Sequence, residues 1–128
     1  MSPLKVGQVD GVPVVHVSED IDAANAASTH QQLTDALAPD ALSLVVDLSE
    51  TGYVDSAGID MLLRFSGRLD QRRTKLILVI PDTSQLRRLA TIVGLPEAIA
   101  TRASLPDALQ EAAMLTGQAA DRRRPRPR

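Results

Sequence analysis

LVVDLSETGYVDSAGIDMLLR, residues 44–64, changes character half-way along. It opens as an apolar, valine-rich run, continuous with Leu42 and Ser43, of the kind that forms a strand buried on both faces. It then crosses a short polar segment and continues with helical periodicity, Asp55 and Ser56 standing at the helix start. Ile59, Leu62, Leu63, Ser66 and Leu69 share one stripe, which predicts the packed face. Ser56, Asp60 and Arg64 fall on a neighbouring face, and Met61 lies roughly opposite the stripe. A strand passing directly into a helix is the repeating unit of an α/β sheet, where function gathers at the strands' carboxyl ends.

The flanking sequence repeats the unit. VGQVDGVPVVHVS (6–18) places two apolar stretches around Asp10-Gly11, a strong hairpin signal, so the chain is expected to open with an antiparallel pair. IDAANAASTHQQLTDALA (21–38) predicts a helix capped by Asp20 or Asp22, with Ala23, Ala26, Ala27, His30, Leu33 and Leu37 on one face. KLILVI (75–80) is a second buried strand stopped by Pro81, and SQLRRLATIVGL (84–95) is a helix with Gly94 at its C-terminal cap. A short strand near AIAT (98–101) and a last helix over 104–115 follow. The expected fold is α/β: a mixed sheet with an N-terminal antiparallel hairpin, later strands parallel, and about four helices.

The 128 residues suit one domain. Without cysteine there is no disulfide framework, thiolate metal site or thiol catalysis, and no apolar run approaches the ~18 residues of a membrane span. A cytoplasmic protein without membrane insertion is the expectation. Residues 1–120 carry 9 basic and 15 acidic side chains, a net −6, whereas 121–128 carry 5 and 1, a net +4. An acidic body with one Tyr and one Phe is poorly suited to nucleic acid. Residues 1–118 read as the domain and 119–128 as a disordered basic tail.

Several chemistries could place a serine beside an aspartate. Either residue could cap the helix. A nucleophilic serine needs a base in reach, but His16 is accounted for by strand alternation and His30 by its helix face, and the Gly-x-Ser-x-Gly pattern is absent. Gly52 and Gly58 do not make a phosphate-cradling loop. Asp47, Glu50 and Asp55 read as solvated loop acids rather than a divalent-ion site or receiver-type phosphoacceptor, because no lysine follows at a suitable strand end. No catalytic residue, cofactor or metal is expected.

LVVDLSETGYVDSAGIDMLL (44–63) resembles the signature of the STAS domain family: a hydrophobic strand, Asp-Leu-Ser, a few residues, then Asp-Ser-Ser/Ala-Gly and an apolar helix. SEDIDAANA (18–26) is similar to the family's lead-in to the first helix, with Ser18 where glycine is frequent, and IVGLPEAI (92–99) to its Gly-Leu near the third. Asp60 occupies a position often filled by a small residue. The resemblance implies an anti-sigma-factor antagonist that captures an ATP-binding, kinase-type anti-sigma factor and frees a sigma factor. Ser56 would be phosphorylated by that partner and restored by a phosphatase, the added charge beside Asp55 and Asp60 opposing binding. The implied partner surface comprises Asp20, Asp22, Asn25, Asp55, Ser56, Ala57, Asp60, Met61 and Arg64, on a monomer or weak dimer. The alternatives are a non-phosphorylated STAS scaffold of stressosome or lipid-transport type, and a small-ligand-binding module.

Overall fold

A computed structural model describes the backbone of residues 4–123 and the side chains of residues 4–116. Strands β1 (Leu4–Val9) and β2 (Val12–Val17) form the expected hairpin. Its turn residues Asp10 and Gly11 both have positive φ, 52° and 81°, the conformation that matches the twist of a two-residue hairpin. Helix α1 (Ala26–Ala36), β3 (Ser43–Asp47), α2 (Ser56–Gln71), β4 (Lys75–Val79), α3 (Gln85–Ile92), α4 (Leu95–Ala98), β5 (Ala100–Arg102) and α5 (Leu105–Arg123) follow. The sheet runs β1-β2-β3-β4-β5, with β2 to β5 mutually parallel. Among the described residues, no helix is long and apolar enough to cross a membrane.

Spatial order therefore equals chain order. Successive crossovers of one hand, stepping in one direction, put α1 to α4 on the same face. The main core lies there: Val15, Val17, Leu44, Val46, Leu48, Leu76, Leu78 and Ile80 from the sheet side meet Leu33, Leu62, Phe65, Leu69, Leu86 and Leu95. The alternate residues Val12, Val14, Val45, Ile77 and Val79 face α5, whose Ala108 and Ala112 are small enough for close approach. Glu111 anchors α5 further, pairing with Arg102 and, at 3.3 Å, with Lys75.

The expected count of about four helices comes out as five, because Leu95-Pro96 starts a one-turn helix directly after Gly94, whose φ of 75° ends α3. Three expectations are corrected. Helix α1 begins at Ala26, and Ala23 and Ala27 of the expected face are both exposed while Thr29 is buried. Neither acid caps α1 at its N-cap, which is Asn25: Asp22 instead organises the preceding turn, its Oδ1 accepting the Ala24 and Asn25 N–H groups at 2.9 and 3.2 Å. The last helix, expected to stop at 115, continues as helical backbone to Arg123. Of the expected tail, residues 124–128 lie outside the described residues.

Candidate functional site

Two loops at the carboxyl edge of the parallel strands build the site, and hydrogen bonds fasten them together. The backbone of Ile21 bridges Tyr53 and Asp55, with Ile21 N–H to Tyr53 C=O and Asp55 N–H to Ile21 C=O both at 3.0 Å. Asp20 Oδ1 accepts the N–H groups of Gly52 and Tyr53 at 3.1 and 3.0 Å. Thr51, fully buried, donates its hydroxyl to Val17 C=O at 3.0 Å. Each bond satisfies a loop group that would otherwise need water.

Asp55 completes the junction with both carboxylate oxygens. Oδ1 accepts the Gly58 N–H at 2.9 Å, which caps α2, and Oδ2 accepts the Ala23 N–H at 3.1 Å, which reaches back to the lead-in of α1. Capping therefore belongs to Asp55 alone. Ser56 is the first residue inside the helix, exposed, and its hydroxyl makes no hydrogen bond among the described residues. The N–H groups of Ser56 and Ala57 likewise have no acceptor among them.

Gly58 explains the end of the DSAG motif. Its φ is ordinary, but a Cβ there would lie 2.5 Å from Val54 Cγ1 and 3.0 Å from the Ile21 carbonyl oxygen. Only glycine lets the first turn of α2 sit on the Ile21–Val54 bridge.

The face of α2 differs from the expectation by one helical position. Gly58, Met61, Leu62, Phe65, Ser66 and Leu69 are buried, with Met61 only 7% exposed and packed in the main core. Leu63, assigned to the packed stripe, is 40% exposed. Met61 is therefore corrected from partner anchor to core residue. The reason is α1, against which α2 packs: His30 meets Phe65 edge-to-face at 5.4 Å between ring centroids, drawing the 58/61/65 side of α2 inward. Burial, and secondarily the Arg68 guanidinium, hold the His30 imidazole below its ordinary pKa.

Of the remaining expected residues, Asp60 and Arg64 are exposed and paired with each other at 2.9 Å. Asn25 spends its side-chain amide locally, donating to Asp20 C=O at 2.8 Å and to Glu19, while its oxygen accepts Asp22 N–H. Ala57 is half-buried and, with Asp60, Arg64, Arg68 and His30, lines a shallow groove between α1 and α2. Asp20, Asp22, Asn25, Asp55, Ser56 and Ala57 are thus brought together around one junction. Asp47, read as a solvated loop acid, is instead buried at the end of β3, and its pairing with His16 was not foreseen: His16 Nδ1 donates to Asp47 Oδ2 at 2.9 Å while Asp47 Oδ1 accepts Ser49 N–H. Their place on adjacent parallel strands was the available signal. Both histidines are thus engaged away from the Ser56 hydroxyl. Among the described residues no cluster of three His, Asp or Glu is placed to hold a metal ion.

The fold and the junction coincide with a family match over residues 4–108, described as the STAS domain. The chain belongs to the STAS domain family. This STAS chain is 28% identical over 104 residues to the anti-sigma-F factor antagonist RsfB of Mycobacterium tuberculosis, covering 81% of this chain and 84% of that one. A crystal structure of an anti-sigma factor antagonist from Mycobacterium paratuberculosis superposes with a TM-score of 0.75 at 28% identity, covering 86% and 92% of the two chains. The anti-sigma factor antagonist SpoIIAA in its unphosphorylated form shares the STAS fold at a TM-score of 0.67 and 15% identity, covering 86% and 96%.

Proposed function

We propose that this STAS protein is an anti-sigma factor antagonist that binds an anti-sigma factor of the ATP-binding serine-kinase type and is switched off by phosphorylation of Ser56. The observation that carries the reading is the division of labour at the start of α2: Asp55 does the capping, leaving the Ser56 hydroxyl exposed and uncommitted. A hydroxyl with no activating base of its own suits a serine whose chemistry is supplied by another protein. The relatives' names, anti-sigma factor antagonist, supply the partner class.

A phosphate on Ser56 would not melt α2. It would stand at a helix N-terminus with a favourable dipole and the open N–H groups of Ser56 and Ala57. The switch then acts in the complex. A kinase must bring its nucleotide's phosphates to the Ser56 hydroxyl; after transfer, the new dianion, beside Asp55 and Asp60, faces the phosphates of ADP. Like charges at close range weaken binding by several kcal/mol, and each ~1.4 kcal/mol is tenfold in affinity. A phosphatase resets the serine.

Incubation with the partner kinase and ATP, read by intact mass, is the test. Wild type gains about 80 Da, the mass of one phosphoryl group, and Ser56→Ala gains nothing. Thr51 and Ser66 are buried, so Ser49 is the exposed competitor in the neighbourhood; modification mapping there instead of to Ser56 overturns the assignment.

A further inference from the structure

Strand β1 forms one margin of the sheet, and among the described residues nothing pairs with its outer edge. All of its residues except Leu4 are exposed, Val6 at 58%. β5, at the other margin, is only three residues long and offers little to a further strand. The hairpin turn fixes which backbone groups of β1 point outward. In a two-residue hairpin the flanking residues form a hydrogen-bonded pair, so Val9 bonds with Val12, Gly7 with Val14 and Lys5 with His16. The N–H and C=O groups of Val6 and Gln8 therefore face away from β2. Pro13 agrees with this phase: lacking an N–H, it stands opposite Gln8, in a pair that exchanges no hydrogen bonds. Among the described residues the outward groups of Val6 and Gln8 have no partner.

Gly7 is the residue of β1 that the fold itself does not explain. Its φ is not left-handed, and a Cβ there would meet nothing within 4 Å. Glycine weakens a strand interior, and in such a place it commonly marks the close approach of another backbone. The edge is complementary to itself about this residue. With Gly7 on a two-fold axis perpendicular to the sheet, β1 meets β1 of a second copy antiparallel; Val6 bonds with Gln8 of that copy and Gln8 with its Val6, so every outward group of the two residues is used. The two Gly7 residues form the non-hydrogen-bonded pair on the axis, where Cα atoms approach to about 4.5 Å. Lys5 is the one charged residue of β1, and a lysine ordinarily guards a sheet edge against pairing. In this register it falls opposite Val9 of the second copy, next to the acidic turn residue Asp10, and about 13 Å along the strands from its own twin.

We infer that the outer edge of β1 is a self-association surface, through which two copies join β1 to β1 into one continuous sheet with Gly7 on the axis. Helix α1 does not stand in the way. It connects β2 to β3, and the β2 strands of the two copies lie about 14 Å apart, wider than the roughly 8–10 Å between packed helices. Val6 shares the main-core face with Leu4 and Val15, and on the floor between the two α1 helices it is covered by Gln8 and Val6 of the second copy. A strand edge of this length buries less than the ~1,200 Å² of a standard interface, so the dimer is weak and forms at high concentration. The axis reverses strand direction, which puts the two Ser56 junctions at opposite ends of the joined sheet and leaves both uncovered. The inference is independent of the kinase reading.

The chain has no cysteine, so a single introduced one reports proximity. In the full-length protein treated with oxidised glutathione, Gly7→Cys is expected to give a disulfide-linked dimer, the axial Cα separation lying within the range a disulfide spans. Lys5→Cys, exposed on the same strand but remote from its twin, gives at least tenfold less. Sedimentation velocity of the wild type shows a dimer fraction that rises with concentration into the millimolar range. Val6→Pro removes an outward N–H without touching the β1–β2 ladder and lowers the association constant at least tenfold. Gly7→Lys lowers it as much by setting like charges across the axis, while the melting temperature stays or rises because the new side chain has open space. This second variant keeps the test decisive if the proline variant loses its fold. The inference is overturned by a wild type that remains monomeric at every concentration, by a dimer that Gly7→Lys leaves intact, by equal cross-linking of Lys5→Cys, or by a dimer that vanishes on deletion of residues 121–128 but survives Val6→Pro.

Discussion

Asp55 holds more of the site than any other single side chain, because its two oxygens tie the first turn of α2 to the lead-in of α1. Asp55→Ala is expected to lower stability by about 1–2 kcal/mol, the loss of a helix cap together with a loop tie. Urea unfolding measures it, and Asp55→Asn should recover part of the loss because its amide oxygen still accepts one N–H. His30 makes a pH-dependent contribution. Burial first, and Arg68 second, lower its pKa in the folded state, so the unfolded chain takes up a proton at a higher pH than the folded one. The native state is then penalised as pH falls below about 6.5, the unperturbed histidine value, and the contribution is fully favourable above it. Thermal melts of wild type and His30→Gln between pH 5 and 8 should diverge in slope below about 6.5, the variant being the flatter. The sequence supplied the residues of this junction but not its division of roles. Asp-Ser at a helix start allows either residue to cap, and only the positions of the Gly58 and Ala23 N–H groups decide that Asp55 does so.

At the scale of the element, α2 is a helix with two apolar stripes, one of which the fold buries. Met61→Ala should cost about 2–4 kcal/mol in urea, the range for emptying a core site. Leu63→Ala should cost well under 1 kcal/mol, since its side chain is already partly in water. Gly58→Ala is expected to destabilise by about 1–3 kcal/mol, although alanine is the better helix former, because the added methyl meets Val54 and the Ile21 carbonyl. A gain in melting temperature for that variant would show that the close approach relaxes freely. Helical periodicity identified α2 but could not choose between the 59/62/63/66/69 and 58/61/62/65/66/69 stripes, as both are apolar enough. The choice is tertiary, made by α1 through His30 and Phe65 and by the glycine contact with the bridge. The strands were readable for the opposite reason. Continuous valine-, leucine- and isoleucine-rich runs at 44–48 and 75–80 fit burial on both faces, and Asp10-Gly11 fixes the hairpin without help from distant residues.

Over the whole molecule, charge is divided between an acidic body and a cationic C-terminal segment. Deleting residues 121–128 is expected to leave the melting temperature and Ser56 phosphorylation unchanged. It should slow association with the proposed kinase partner at low ionic strength and have little effect at physiological salt, where the Debye length is about 8 Å. Stopped-flow rates at two salt concentrations read the difference; loss of binding at both would make the segment part of the interface. The match between strand order and chain order has a further consequence, for synthesis. Each strand emerging from the ribosome finds its sheet neighbour among the residues made immediately before it, so the sheet can grow by accretion without holding an edge open for a distant partner. The hydrogen bonds that fasten the Ser56 loop all join residues between Val17 and Gly58. Leu89 and Val93, by contrast, emerge some thirty residues later. A nascent chain accordingly has the bonding groups of its proposed modification site before it has the α3 wall of the groove beside Ser56, and the order of translation separates the two in time.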